Sequence, residues 1–166
     1  MPLQGDDVLK ISRLTDYGLQ AAAYIAQNAG RVIPSREVSE FFSLPLPVVS
    51  KVLKLLHEGG VIRSHRGVDG GYSFEGDLDS VTLGRLLEVL EGPWDLVECE
   101  SLNEHGHAVC SIRHGCPSRT FMFGISRAIK DAFQQVTLGD LTRAAFAGDK
   151  VWSEPRFQLR NTKDLQ

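Results

Sequence analysis

The sequence predicts a mainly α-helical fold: a winged helix-turn-helix, then an irregular cysteine-bearing loop, then a long helix. Three features predict it. Apolar residues recur at helical spacing in several separate stretches, capping residues and Gly or Pro stops bracket those stretches, and two short strand-like runs flank Gly67-Val68-Asp69-Gly70. The 166 residues are enough for one domain with its own core. Hydrophobic residues at 42% and charged ones at 23% place the chain among globular rather than disordered proteins.

The elements follow in chain order. Thr15 is read as the N-cap of a first helix carrying Tyr17, Ala21, Tyr24 and Ile25 at helical spacing, and Ala29-Gly30 stops it near Asn28. Ser35, after Pro34, caps a short second helix with Val38, Phe41 and Phe42 on one face. Prolines exclude a helix interior around Pro45, but Pro47 suits a first turn. A third helix therefore spans about residues 47–58, with Val49, Val52, Leu53 and Leu56 inward and Gly59-Gly60 closing it. Two short helices joined by a tight turn make a helix-turn-helix. Residues 61–66 read as a strand and residues 71–74 as its return, so the hairpin is a wing.

Thr82 caps a fourth helix whose stripe is Leu83, Leu86, Leu87 and Leu90, and Gly92-Pro93 ends it. From Trp94 to Cys116 there is no sustained periodicity, which predicts a long loop. Pro117 and Ser118 open the longest helix, with Phe121, Ile125, Ala128, Ile129, Ala132, Phe133 and Val136 on one side. The globular part has closed before this helix, so a helix-helix dimer seam is preferred over monomer core. Thr137 caps a short last helix, and from Gly148 the chain turns polar. The expected divisions are residues 9–92 for the winged helix, 93–117 for the cysteine loop, 118–147 for the dimerisation and terminal helices, and 148–166 for a tail.

Charge is unevenly spread. Eighteen Lys and Arg against 21 Asp and Glu give a net charge of -3, which taken alone argues against a phosphate-bearing partner. Residues 31–66 nevertheless hold six basic and three acidic side chains, whereas residues 75–104 hold nine acidic ones and only Arg85. Residues 105–130 carry Arg113, Arg119, Arg127 and Lys130 and no acid. A basic helix-turn-helix beside an acidic stretch predicts an oriented partner.

The expected partner is double-stranded DNA, because an exposed recognition helix fits the major groove. Pro47, Val48, Ser50, Lys51 and Lys54 are expected to point outward; Ser50 and Lys51 would approach bases and Lys54 a phosphate. On the wing, Arg63, His65 and Arg66 are the candidates, with Arg66 beside Gly67 placed for the minor groove. Gly67-Val68-Asp69-Gly70-Gly71 lacks the following Lys and Ser or Thr of a phosphate-binding loop, so nucleotide binding is not expected.

Cys99, Cys110 and Cys116 lie within 18 residues and cannot all pair with one another. Their gaps of ten and five residues are not the paired C-x-x-C of ordinary zinc sites. Three thiolates from one loop can hold an iron-sulfur cluster with one ligand to spare, and His105, His107 and His114 lie in the same loop. No stretch is apolar enough to span a membrane, and Met1 to Asp7 lack a leader pattern, so a cytoplasmic protein is expected. A small-molecule substrate is not expected.

Taken together, Leu9-Lys10-Ile11-Ser12-Arg13-Leu14-Thr15-Asp16-Tyr17-Gly18, Pro47-Val48-Val49-Ser50-Lys51-Val52-Leu53-Lys54, Ser64-His65-Arg66-Gly67-Val68-Asp69-Gly70-Gly71-Tyr72, Leu90-Glu91-Gly92-Pro93 and Cys116-Pro117 resemble the winged-helix iron-sulfur repressors of bacteria. This is the IscR, SufR and NsrR type, and the motifs look closest to the branch that regulates the SUF system of cluster assembly. The likeness runs from about residue 9 to 146. It implies a homodimer with one cluster per subunit, the long helix as seam, and Cys99, Cys110 and Cys116 as ligands. Where the cluster-assembly regulator has a ligating His three residues after the last Cys, this chain has Arg119, which cannot ligate. In the nitric-oxide sensor an N-terminal carboxylate serves, and Asp16 of the partner subunit matches it here, ranked ahead of His107, His105 and His114. A 2Fe-2S cluster is ranked ahead of 4Fe-4S.

The resulting expectation is a repressor of suf-type genes that senses cluster, iron, redox or nitric-oxide status, and not an enzyme. The rivals are a zinc or thiol-redox sensor on the same scaffold, a protein-docking winged helix, and a thiol enzyme, for which the sequence builds no oxyanion site.

Overall fold

The computed structural model describes residues 11–93, 106, 109–112 and 115–147. Six helices and one two-stranded sheet occur among them, in the order α1 (Arg13–Gln27), α2 (Ser35–Phe42), α3 (Leu46–Glu58), β1 (Arg63–His65), β2 (Gly71–Ser73), α4 (Leu83–Glu91), α5 (Arg119–Gln135) and α6 (Leu138–Ala147). A single 3-10 turn, Leu78–Ser80, precedes α4. The mainly α, winged helix-turn-helix class expected from the sequence is the one observed.

The N-cap of α1 is Ser12 rather than Thr15. Ser12 Oγ accepts from the Thr15 amide at 3.1 Å, and Thr15, three residues in, is buried with its hydroxyl bonded to the Glu91 carboxylate at the far end of α4. Ser-Arg-Leu-Thr offers two hydroxyls, and the tertiary partner of Thr15 decides which one caps. In α2, Ser35 is already helical and Pro34 takes the cap position, while Ser43 ends the helix in the left-handed region at φ 53°. Val38 is buried as expected, but Phe41 stays 55% exposed, lying against Tyr24 and Phe42 with ring centroids 4.5 and 4.8 Å away.

Helix α3 begins one residue earlier than the sequence indicates, with Pro47 in its first turn. Val49, Val52, Leu53 and Leu56 are fully buried, and with Ala21, Ala22, Ile25, Ile33, Val38, Leu86 and Leu138 they form the core. Helix α1 packs against α3, α4 and α6, so it is the central post of the fold. Val61 and Ile62 are not strand: they are buried in the turn that leaves α3, where the Val61 amide donates to Leu56 O at 2.9 Å. The strands pair antiparallel, Arg63 opposite Ser73 and His65 opposite Gly71.

Thr82 caps α4 as expected, accepting from the Arg85 amide. Helix α5 packs mainly on α4, where the Gln134 side chain sits against Gly84 with no room for a Cβ and accepts from the Thr82 hydroxyl at 2.7 Å. A backbone bridge between Thr82 and Thr137 then turns the chain back. Thr137 and Asp140 cap α6 reciprocally: the Thr137 hydroxyl accepts from the Asp140 amide and Asp140 accepts from the Thr137 amide and hydroxyl. Arg143 ties Asp140 to Asp79 of the 3-10 turn. Helix α6 thus rejoins the winged-helix unit, with Leu138 in its core.

Candidate functional site

Two contacts tie the wing to the helix-turn-helix, one at Ile33 before α2 and one at His57 on α3. Ile33, just before α2, exchanges backbone hydrogen bonds with Tyr72 of β2 at 2.8 and 2.9 Å. At Gly71 a Cβ would collide with the Ile33 carbonyl, and at Gly70 it would meet His65 O at 2.7 Å. The paired glycines of the wing are therefore a close-approach device, which is the physical reason they need not signal a phosphate loop. Arg63 pairs with Glu75 at 3.0 Å, and His57 near the end of α3 reaches both Ile62 and Ser64.

On α3, Pro47, Ser50, Lys51 and Lys54 are exposed and Val48 is half-buried. Lys54 pairs with Glu58 at 3.7 Å, an exposed contact of little energetic weight that a phosphate can replace. Lys51, Arg36 and Arg66 have no ion pair among the described residues. On the wing, Arg63 and Arg66 are exposed, whereas His65 turns across the hairpin so that its Nε2 lies 2.7 Å from the buried Ser73 hydroxyl. A shallow depression of about 420 Å3 joins Ser35 at the start of α2 to Arg66, Gly67 and Tyr72 on the wing. Exposed cations thus stand on both α3 and the wing, which the chain's net charge conceals.

The cysteine loop is described only in part. Cys110 and Cys116 are free and half-buried, while Cys99, His105, His107 and His114 lie outside the described residues. Among the described residues no group of three or more His, Cys, Asp or Glu side chains is gathered as a metal site. Asp16 is exposed in the first turn of α1 and accepts a bond from Gln20 at 3.1 Å. Arg119 is the exposed first residue of α5. At the entry to the loop, hydrogen bonds from Ser12 and then Thr15 hold the Glu91 carboxyl below the usual glutamate range. Glu91 was not legible as a structural link, because its partner Thr15 lies 76 residues away.

A family model described as "Iron-dependent Transcriptional regulator", that of the Rrf2 proteins, matches residues 11–144. The chain belongs to the Rrf2 family. Members of this family similar to it include the transcriptional repressor NsrR of Streptomyces coelicolor, 27% identical over 138 residues that cover 82% of this chain and 90% of that one. The regulator IscR of Vibrio campbellii is 26% identical over 125 residues, covering 75% of this chain and 70% of its own. Among solved structures, CymR, the global cysteine regulator of B. subtilis, aligns with a TM-score of 0.64 at 27% identity over 81% of this chain and 97% of its own. IscR of T. potens shares the fold, with a TM-score of 0.62 at 21% identity over 98% and 100% of the two chains. This Rrf2 protein is accordingly a DNA-binding transcriptional regulator with a winged helix, and not an enzyme. Among the described residues no helix is long and apolar enough to cross a membrane.

Proposed function

We propose that this Rrf2 protein is an iron-sulfur-dependent repressor that acts on cytoplasmic DNA as a homodimer and controls cluster-assembly genes of the suf type. The observation that carries the sensing half is the pair of free, half-buried thiols, Cys110 and Cys116, in the segment between the winged-helix unit and α5 of an iron-dependent regulator family. Thiolates are the ordinary ligands of such clusters, so the donor set fits. Cys99, Cys110 and Cys116 would hold the cluster, with Asp16 of the partner subunit as fourth ligand ahead of His107, and 2Fe-2S ahead of 4Fe-4S. When bound, the cluster supplies a group sensitive to oxidation and nitric oxide.

The dimer is supported by α5, whose Phe121, Ile125, Ala128 and Ala132 recur on one face and are all exposed in the single chain. Three thiols held at one centre constrain residues 94–116, and through the seam they bias the angle between the two recognition helices. Ser50 and Lys51 would meet base edges, Lys54 and Arg63 phosphates, and Arg66 the minor groove, with Pro47 and Val48 at the groove floor and His65 bracing the wing. Releasing the acidic Glu98, Glu100 and Glu104 would repel phosphates, so the loaded form is the tighter binder.

Anaerobic isolation followed by visible absorption and iron and sulfide analysis tests the cofactor: a brown or red protein with both elements is expected, and a colourless zinc or metal-free protein would replace this reading with a thiol or zinc sensor. Binding of a duplex selected from a random pool tests the switch, with the loaded form expected roughly tenfold tighter. Equal binding by the cluster-free form would overturn the direction.

A further inference from the structure

His57 stands near the C-terminal end of the recognition helix, with one ring nitrogen facing the turn that leaves α3 and the other facing the wing. Nδ1 lies 3.3 Å from the Ile62 carbonyl oxygen, and Nε2 lies 3.0 Å from the Ser64 hydroxyl on β1. A carbonyl only accepts, so Nδ1 carries a proton and donates to Ile62, and in the neutral ring Nε2 accepts from Ser64. The His57 ring also meets the edge of Tyr72 on β2, centroids 6.5 Å apart. The backbone bridge from Ile33 anchors β2 to the start of α2, whereas His57 is the side chain that anchors β1 to α3.

We propose that His57 is a positioning residue for DNA binding: by bridging α3 to the wing it fixes the angle at which Arg66 is offered relative to Ser50 and Lys51. It touches no base in this role. Residues 59–62 connect α3 to the wing, and Gly60 at φ 73° gives the connection freedom that a side-chain strut must remove. Two contacts on one rigid body must be held in register for both to count, because binding energy spent on ordering a loose wing is lost from affinity. The inference rests on the wing's reading as a DNA contact.

The test uses the full-length protein and a DNA duplex recovered from a randomised pool by the wild type. Residual dipolar couplings report the orientation of wing amides relative to α3, and titration reports affinity, for H57A, H57Q, R66A and the H57A/R66A pair. We expect H57A to spread the wing orientations and weaken binding about five- to tenfold, the net effect of losing one or two hydrogen bonds. H57Q, which keeps a hydrogen-bonding group on the side chain, is expected to stay within about twofold of wild type. In the double variant the two losses should fall short of their product, since a wing set loose no longer profits from Arg66. Unchanged wing orientation in H57A, or losses that multiply in the pair, would overturn the proposal. If R66A alone binds like wild type, Arg66 is not a DNA contact, and the dipolar couplings still decide the part played by His57.

Discussion

Helices α3 and α5 carry the same kind of apolar periodicity and meet opposite fates. In α3, Val49, Val52, Leu53 and Leu56 are fully buried, and the exposed side is left to Ser50, Lys51 and Lys54. In α5, Phe121 is 70% and Ile125 40% exposed, and the one fully buried side chain is Ser126. Amphipathic spacing therefore establishes that a helix has an apolar face without saying what covers it. For α3 the cover is α1, from the same chain; for α5 a cover remains to be supplied, which is why a second copy is proposed there.

The sharpest way to break this contrast is to truncate both faces. L53A should destabilise the protomer by about 2–5 kcal/mol in urea unfolding, because a buried leucine leaves a cavity that α1 cannot fill. I125S should leave dilute-solution unfolding within about 0.5 kcal/mol of wild type yet shift sedimentation from dimer to monomer. An equal loss of protomer stability in both variants would erase the distinction between the two helices.

A smaller effect is expected where the wing meets α2. G71A drives a Cβ into the Ile33 carbonyl, and the resulting displacement should cost about 1–3 kcal/mol and weaken DNA binding more than it weakens the core, as measured by parallel unfolding and titration. At the junction that returns α5 to the core, T137A removes the cap of α6 and should cost about 1 kcal/mol in the same unfolding assay. That loss would show that α6 belongs energetically to the winged-helix unit, unlike the exposed face of α5.

The smallest effect is set by pH. Glu91 has its folded pKa lowered by Ser12 and Thr15, so its stabilisation is complete above the ordinary glutamate range and is lost as pH falls through the lower folded value. In E91Q the acid limb of the stability profile, below roughly pH 4, should flatten relative to wild type. An unchanged limb would show that the contact with Thr15 contributes no linkage.

Much of the protein was legible because local rules and tertiary packing agree. The span of α3, its four inward residues, the Thr82 cap and the Gly67-to-Gly70 turn all follow from spacing and capping chemistry, and each is observed. Where two local choices were equal, the sequence was silent. Ser12 and Thr15 both suit an N-cap, and only the Glu91 carboxylate, distant in sequence, separates them. Phe41 has the spacing of a core residue but lies beyond the edge of the core, against Tyr24. Of the expected DNA contacts, Pro47, Ser50, Lys51 and Lys54 are exposed, Val48 is half-buried, and His65 is engaged across the hairpin by Ser73. Among the proposed ligands only Asp16, Cys110 and Cys116 fall within the described residues.

By itself, the sequence determined the helix-turn-helix, the wing, the segregation of charge and the clustering of three cysteines, because periodicity, Gly and Pro punctuation and charge counts are local properties. Only the tertiary structure decided which hydroxyl caps α1, that α6 returns to the core, that the glycine pair of the wing exists for close backbone approach, and that His57 braces the wing. Each of those depends on which surfaces meet, and such contacts, 76 residues apart for Thr15 and Glu91 or seven for His57 and Ser64, leave no periodicity in the local sequence.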